Sequence, residues 1–540
     1  MVLPFIRRFE YEVSFILLCG CVAMMITGCG EKKNTASSES NSVSSKGEIV
    51  RELRPLFMDW KNPAVAILLS GELDGYLEPC GCSPEIQLGG LSHRADLVRM
   101  IQKDKNWPYT AFDLGNIVQR DRRQDKIKFR HILQAFSQLN YRSIALGTSE
   151  IRLGADLLLT LENLSPNNKD VKPNFIDANI EIYESTDFGP RRFQILEVNH
   201  IKIAVTAIVG EGLKIELFPE GANPAIKIQN PFVSLQKTVA EMKKHQPDLL
   251  VLLAHSSQEE TRELTRKIAD FDLVLSADGP EDGLPDPEKI GKTMIVNVGK
   301  KGKYVGVVGY FPDDNKNRLR FKLIDLDRRR FKDHPAMMKM MKDYQQQLKD
   351  NQAQVFADLP KASFADNATF VGAKKCAECH TKAYSKWKTT KHAKAYESLL
   401  EGRKDSTNWV SRQYDPECLT CHVTGWEPHE ATRYNSGFLT KELSAKKKKP
   451  HLFENLKGQQ CENCHGPGSL HVQIEQRWQK ETGGDLKKTL YEQRRKMKLT
   501  LEQAKSITNA RSCYRCHNGD NSPKFEFEKY WKDIVHKGRD

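Results

Sequence analysis

Four segments of this chain read Cys-x-x-Cys-His, and no other feature constrains it as strongly. They are Cys376-Ala-Glu-Cys379-His380, Cys418-Leu-Thr-Cys421-His422, Cys461-Glu-Asn-Cys464-His465 and Cys513-Tyr-Arg-Cys516-His517. Two thiols one helical turn apart can add across the two vinyl groups of one haem, and the imidazole that follows then meets the iron. Structural zinc on Cys-x-x-Cys knuckles is the competing reading, but it does not explain why a histidine follows every pair at once. Residues 371–540 are therefore expected to hold four covalently bound haem c groups. Cys376, Cys379, Cys418, Cys421, Cys461, Cys464, Cys513 and Cys516 are the expected attachment residues. His380, His422, His465 and His517 are the expected proximal iron ligands. A region this short around four large cofactors has a core made largely of porphyrin, against which Trp387, Trp409, Trp426, Trp478 and Trp531 are expected to pack.

The sixth ligands follow from counting. Between residues 371 and 540 the only methionine is Met497, so Met/His ligation could serve one iron at most. Five histidines remain beyond the proximal four: His392, His429, His451, His471 and His536. Most irons are thus expected to be bis-histidine, which gives lower potentials than Met/His ligation because thioether sulfur favours ferrous iron.

Three stretches carry a more specific likeness. Cys376–Ala395 contains Tyr384, Trp387, His392 and Ala393; a second stretch reads Cys461-Glu-Asn-Cys-His-Gly-Pro-Gly-Ser-Leu-His471; the third is Trp531-x4-His536. Together they resemble the tetrahaem cytochrome family to which the electron acceptor of hydroxylamine oxidoreductase belongs. The resemblance covers about residues 370–540. It implies a mostly helical fold with little regular structure around closely stacked haem pairs, with His392, His471 and His536 as distal ligands. It also implies one haem with an open axial position, for which the Cys418–His422 segment is the candidate. His429 and His451 sit in no matched motif, and each reads equally as a distal ligand or as a surface or haem-edge histidine.

The remaining cysteines mark other places. Cys19, Cys21 and Cys29 lie in the first thirty residues. Arg7 and Arg8 precede an apolar run from Phe15 to Ile26 that is too short for a membrane-spanning helix, which takes about 20 residues, and that fits a signal peptide. It ends in Ile26-Thr27-Gly28-Cys29, which resembles the lipobox of bacterial lipoproteins and implies lipidation of Cys29. An uncleaved anchor is the other reading, since Glu10 and Glu12 weaken the basic end. Residues 1–28 are expected to be the signal peptide and 29–58 a Ser-, Asn- and Lys-rich tether. The protein is then expected in the cell envelope, held to the membrane by lipid and facing the periplasm or cell exterior. Gly30, where an Asp would suggest inner-membrane retention, points towards the outer membrane.

The formal net charge is +13, which could signal nucleic acid, but haem propionates would offset much of it. No nucleic-acid partner is expected; redox proteins of the envelope are. The Lys446–Lys449 run reads as a solvated loop, with a docking patch for an acidic redox partner as the alternative.

Residues 59–328 read differently. Strands are expected at Ala64–Leu69, Thr110–Leu114, Ser143–Leu146, Leu249–Leu253 and Leu273–Leu275. Helices are expected at Leu91–Gln102, Gln124–Gln138, Ser234–His245 and Glu259–Ala269. Phe193–Val198 and Ile201–Val209 form a hairpin across Asn199-His200, and three short strands at 293–298, 304–311 and 318–325 close the region. This alternation implies a layered α/β domain, and the whole chain is a multidomain protein ending in a mostly α or irregular multihaem cytochrome c domain.

The landmarks Ser70–Gly75, Gly89-Gly90-Leu91, Asp113–Asn116, Leu146–Glu150, Ala254-His255 and Ser276–Gly279 resemble, in order, those of the calcineurin-like metallophosphoesterase domain of periplasmic 5′-nucleotidases. That family needs six or so ligands around two metals. Here its Asp, His, Asp, Asn, His and two final His positions read Glu72, Asp74, Asn116, Thr148, Ser149, Ala277 and Gly279; only His255 is unchanged. The resemblance implies a sandwich that survives while phosphoesterase activity is lost, although Glu72 and Asp74 could hold one cation.

Glu78-Pro79-Cys80-Gly81-Cys82 places two thiols one residue apart near that site. They read as a local disulfide or buried thiols, or as a redox or metal-binding pair. Residues 329–370 are expected to be a linker or bracing helix from about Pro335 to Gln354, with Met337, Met338, Met340 and Met341 as packing residues. The leading expectation is electron transfer without catalysis. The alternatives are a multihaem reductase or oxidase of a small nitrogen or sulfur oxide at an open haem site, and a Cys80/Cys82 redox enzyme fed by the haems.

Overall fold

The computed structural model describes residues 42–43, 49–50, 55–80, 88–161, 173–184, 189–218, 225–402, 408–428, 430–481 and 483–536. The expected signal peptide, Cys29, Cys82 and His429 lie outside them. Residues 1–58 form one unit, in which Ser42–Val43 pairs antiparallel with Ile49–Val50. Residues 59–540 form a second compact unit.

Two six-stranded sheets build the layered α/β part of this second unit. The first has the order Leu319–Asp325, Tyr304–Tyr310, Val65–Ser70, Tyr109–Asp113, Tyr141–Ala145, Asn174–Ile176. The second has the order Phe193–Val198, Ile201–Val209, Leu249–His255, Leu273–Ser276, Thr293–Val296, Glu288–Ile290. In each, four neighbouring strands pair in parallel; the first sheet adds two antiparallel-paired strands on one side, and the second adds one antiparallel strand at each edge. Strands buried on both faces read as continuous apolar runs, as Val65–Leu69 and Leu249–Ala254 do. Alternate residues of both sheets, among them Ile67, Leu69, Phe112, Val205, Val251, Leu253 and Leu275, meet in one buried core. The other face of the second sheet packs on helices Pro231–Lys244 and Gln258–Lys267 through Leu235, Val239, Met242 and Leu264. Asn230 and Ser257 cap these helices by accepting from Val233 N and Glu260 N.

The three closing strands do not stay together. Thr293–Val296 joins the second sheet, whereas Tyr304–Tyr310 and Leu319–Asp325 join the first. The crossing occurs at Gly299–Gly302. Gly299 has φ +75°, and a Cβ there would lie 2.5 Å from Glu281 O. The expected helix 91–102 ends at Arg99 and continues as a π turn, Met100–Asp104.

The Met-rich helix Pro335–Asp350 packs on Leu91–Arg99 and Arg123–Gln138 and buries Met337, Met340, Met341, Tyr344, Gln345 and Leu348. A second short helix, Gln352–Ala357, follows it. From Ala373 onward the chain is mostly short helices. One small sheet (Lys361–Ala362, Thr432–Tyr434, Trp426–Glu427) ties the bracing segment to the second Cys-x-x-Cys-His segment.

Candidate haem-binding region

Each Cys-x-x-Cys-His segment lies on or beside a short turn of helix, which is what sets two thiols and an imidazole on adjacent faces. Cys376 ends Ala373–Cys376, Pro416–His422 starts with Pro at its first position behind the Asp415 cap, and Cys461–His465 and Cys513–Arg515 are shorter still. Two of the imidazoles are oriented by main-chain oxygens. His422 Nδ1 lies 2.6 Å from Ala395 O, and His465 Nδ1 lies 2.7 Å from Met497 O. A carbonyl can only accept, so Nδ1 donates and Nε2 keeps its lone pair. His517 Nδ1 lies 2.9 Å from Ser522 Oγ.

Three histidines expected as distal ligands face three of the proximal ones. His471 faces His380 with ring centroids 6.4 Å apart, His392 faces His517 at 5.9 Å, and His536 faces His465 at 5.7 Å. Two imidazoles on one metal, each with a metal–nitrogen bond of about 2 Å, put their centroids about 6 Å apart. In every case the partner comes from a distant segment. Burial lowers the pKa of His392, His465 and His471, and drives that of His517 down to about 4 with His392 adding to the effect. Neutral imidazole is the ligating form. His471 Nδ1 lies 3.7 Å from Glu475, which Arg494 clamps at 2.7 and 2.8 Å. His451 is exposed at the start of His451–Glu454, and no ring contact among the described residues involves it.

The thiols are also ordered in space. The Cys376 thiol adjoins that of Cys461, the Cys421 thiol adjoins that of Cys516, and Cys464 lies within electrostatic reach of Cys513 and Cys516. The four segments thus follow one another as first, third, fourth, second. This donor set fits covalent haem: paired thiols, an oriented imidazole, and a second imidazole at the right spacing. Of the tryptophans, Trp426 stands edge-on to Phe356 and Trp409 lies under Arg412. These two pack on protein side chains.

The second segment is bolted to the α/β part. Asp415 caps its helix by accepting from Glu417 N at 3.1 Å, and also accepts from Gln124 at 2.8 Å and Gln345 at 3.0 Å. Buried Lys128 pairs with Glu417 at 2.5 Å, and Arg412 pairs with Glu78. The fourth segment is tied as well: Lys301 bridges Glu281 at 2.7 Å and Asp520 at 2.6 Å. Apart from the local Asp415 cap, none of these polar contacts was visible in the sequence, because each joins residues distant along the chain.

Cys80 lies in the two-residue strand Pro79–Cys80, paired with Leu88–Gly89, two residues from Glu78. The positions resembling a metal site gather at the carboxyl ends of the parallel strands of both sheets. Here the protein's own cations and amides fill the space. Lys300 pairs with buried Glu72 at 3.2 Å. Burial raises the Glu72 carboxyl, and burial together with the Glu72 charge pushes Asp74 up to about 7. Asp113 accepts from Ser70 Oγ at 2.5 Å, and Arg94 donates to the same hydroxyl at 3.0 Å; burial pushes Asp113 up to about 6. Thr148 and Ser149 N both donate to Asn116 Oδ1 at 3.0 Å. His255 Nδ1 lies 3.3 Å from Leu114 O, and burial drives its pKa down to about 4. A Cβ at Gly279 would lie 2.1 Å from Asn297 Nδ2, so no ligand side chain fits there. Glu72, Asp74, Asn116 and Asp278 all have φ between +47° and +56°, a strained cluster of the kind found at functional sites. Among the described residues no three His, Cys, Asp or Glu side chains form a metal-holding group.

Residues 375–466 match the family described as cytochrome c554 and c-prime. Part of this chain is a cytochrome c-like, haem-binding electron-transfer region. A curated relative, cytochrome c-554 of Nitrosomonas europaea, is 37% identical over 113 residues, 20% of this chain and 42% of that protein. The chain thus matches less than half the length of this relative. Solved structures similar to about half of the chain include a 5′-nucleotidase precursor from Thermus thermophilus (18% identity, TM-score 0.44, 53% of this chain and 59% of that one). They also include the calcineurin-like phosphoesterase YfkN of Bacillus subtilis (17% identity, TM-score 0.41, 52% and 97%).

Proposed function

We propose that this chain is an electron-transfer protein of the cell envelope that carries four covalently bound haem c groups in residues 371–540 and is held to a membrane by lipid on Cys29. The observation that carries this reading is the cross-pairing of His380 with His471, His392 with His517, and His465 with His536. When bound, each haem would supply reversible one-electron chemistry, at potentials typical of bis-histidine iron for the three that the paired histidines would hold. The chain's residues do the rest: eight thiols would fix the groups, and main-chain carbonyls set the tautomers of the His422 and His465 imidazoles. The α/β part braces the second and fourth segments through Asp415, Glu417, Arg412 and Asp520. A phosphoesterase role is not supported, because Glu72 is paired with Lys300 and no three His, Cys, Asp or Glu side chains among the described residues form a metal-holding group.

The test is a haem count by alkaline pyridine spectrum, with EPR before and after nitric oxide or cyanide. Four haems per chain, all low-spin and indifferent to added ligand, describe a carrier with every iron six-coordinate. One high-spin haem that takes up ligand makes a reductase the leading reading. Fewer than four haems overturns the proposal.

A further inference from the structure

The expected lysine loop has further cations beside it. Helix Lys441–Lys446 ends there, Lys447 caps it, Lys448 takes a left-handed φ of +54°, and Lys446–Lys449 are all exposed. Two cations distant in sequence converge on the run. Lys361 and Arg433 are register partners in the small sheet, and their charges, with that of Lys449, act on Lys447 and lower its pKa behind the effect of burial. No carboxylate contributes there. Arg433 is 4% exposed, and its guanidinium donates only to the carbonyls of Tyr434 (2.8 Å), Gly437 (3.2 Å) and Asn435 (3.4 Å). Nearby acids are committed elsewhere: Glu427 to Arg515, Glu430 to Arg122, Glu442 to the Tyr414 hydroxyl and Glu454 to Lys457. A like-charge cluster of this kind opposes the folded state and is relieved when an anionic surface covers it.

The cluster sits on the outer side of the second Cys-x-x-Cys-His segment. Arg433 bonds Gly437 O, and Phe438 N in turn donates to Thr424 O at 3.0 Å, two residues from His422. Phe438 packs with Tyr396 at 5.3 Å and with Phe453 at 5.9 Å, and Ala395, beside Tyr396, accepts from His422. In the order first, third, fourth, second, this segment is one end of the series.

We propose that the face formed by Lys361 and Lys446–Lys449, with the buried charge of Arg433 behind it, is the docking surface for an acidic redox protein that exchanges electrons with the haem that Cys418, Cys421 and His422 would hold. The proposal rests on the electron-transfer reading and names where its partner binds. An acidic protein fits better than an anionic lipid surface. Membrane-surface sites combine basic residues with exposed Trp, Phe or Leu, and among the described residues no exposed large hydrophobic side chain lies between Trp409 and Tyr491.

The test uses the full-length holo-protein and reduced flavodoxin, a small acidic electron donor, mixed by stopped flow from about 10 to about 500 mM ionic strength. The wild-type second-order rate is expected to fall steeply with salt. Lys447→Glu/Lys449→Glu should lower the low-salt rate about tenfold or more and flatten the salt dependence. Lys447→Gln/Lys449→Gln should do so part-way and serves if the charge reversal fails to fold. A control pair elsewhere, Lys374→Glu/Lys382→Glu, should change the rate little. An unchanged rate in the Lys447/Lys449 variants, an equal loss in the control, or a salt-insensitive wild type overturns the proposal. So does loss of binding to phosphatidylglycerol vesicles with the flavodoxin rate intact, which would make the face a lipid site. The haem count on the same samples separates the two readings: too few haems sinks the carrier, whereas four haems with an unchanged rate sinks only the docking face.

Discussion

The rings of His392 and His517 face each other with centroids 5.9 Å apart, joining the turn after the first Cys-x-x-Cys-His segment to the last segment. His517 also stacks on Phe525 at 4.4 Å, which fixes its plane. If both imidazoles bind one iron, His392→Ala should turn one low-spin EPR signal high-spin while the haem count stays unchanged. His471→Ala and His536→Ala should each alter a different signal, and His392→Met should raise the potential of its centre, since thioether favours ferrous iron. Two of these substitutions acting on the same signal would contradict the pairing.

The seam between the α/β part and the second segment should be measurable as stability. The Lys128 side chain is 6% exposed and that of its partner Glu417 is 38% exposed. Lys128→Met leaves the carboxylate without its cation and should cost about 1–3 kcal/mol, at the lower end because water still reaches Glu417. Adding Glu417→Leu should restore much of the loss. Denaturant titration of the two single variants and the double variant reads the coupling; additive losses would show that the pair is not an energetic unit.

Asp177 predicts a pH dependence. It is fully buried, and burial pushes its carboxyl up to about 8, against the pull of Asn179 N, Ile180 N and Arg192. Between its ordinary value and about 8 the folded state holds a proton that the unfolded state has released. Stability from this group therefore falls as pH rises through that window. Asp177→Asn should flatten the fall and be the more stable form at pH 8, by on the order of 1 kcal/mol. Thermal melts from pH 5 to pH 8 check it, and parallel curves would show that Asp177 is not the source.

The Lys300–Glu72 pair predicts that aryl phosphate with added manganese is hydrolysed no faster than by the metal alone. Hydrolysis that scales with protein and disappears in Glu72→Gln would mean that a cation displaces Lys300 and that the α/β site is catalytic.

Much of this protein was legible because its decisive signals are local. Attachment of haem needs two thiols and an imidazole within five consecutive residues, and that chemistry is written into the sequence. Much of the strand and helix pattern of residues 64–325 was equally readable: the Phe193–Val198 and Ile201–Val209 hairpin lies where the apolar pattern puts it, whereas the three-residue edge strands Asn174–Ile176 and Glu288–Ile290 are too short to show a period. Long-range geometry was not. Composition gave five spare histidines, but only the folded chain sets His471 against His380 and His536 against His465. Only tertiary structure splits the closing strands between two sheets, because sheet membership depends on the crossing at Gly299–Gly302 and not on strand propensity. The same holds for Lys361 and Arg433 beside the lysine run, and for Lys128 and Gln124 against the second segment. Covalent chemistry is specified by neighbours in sequence, whereas ligand pairing and charge clustering are specified by neighbours in space.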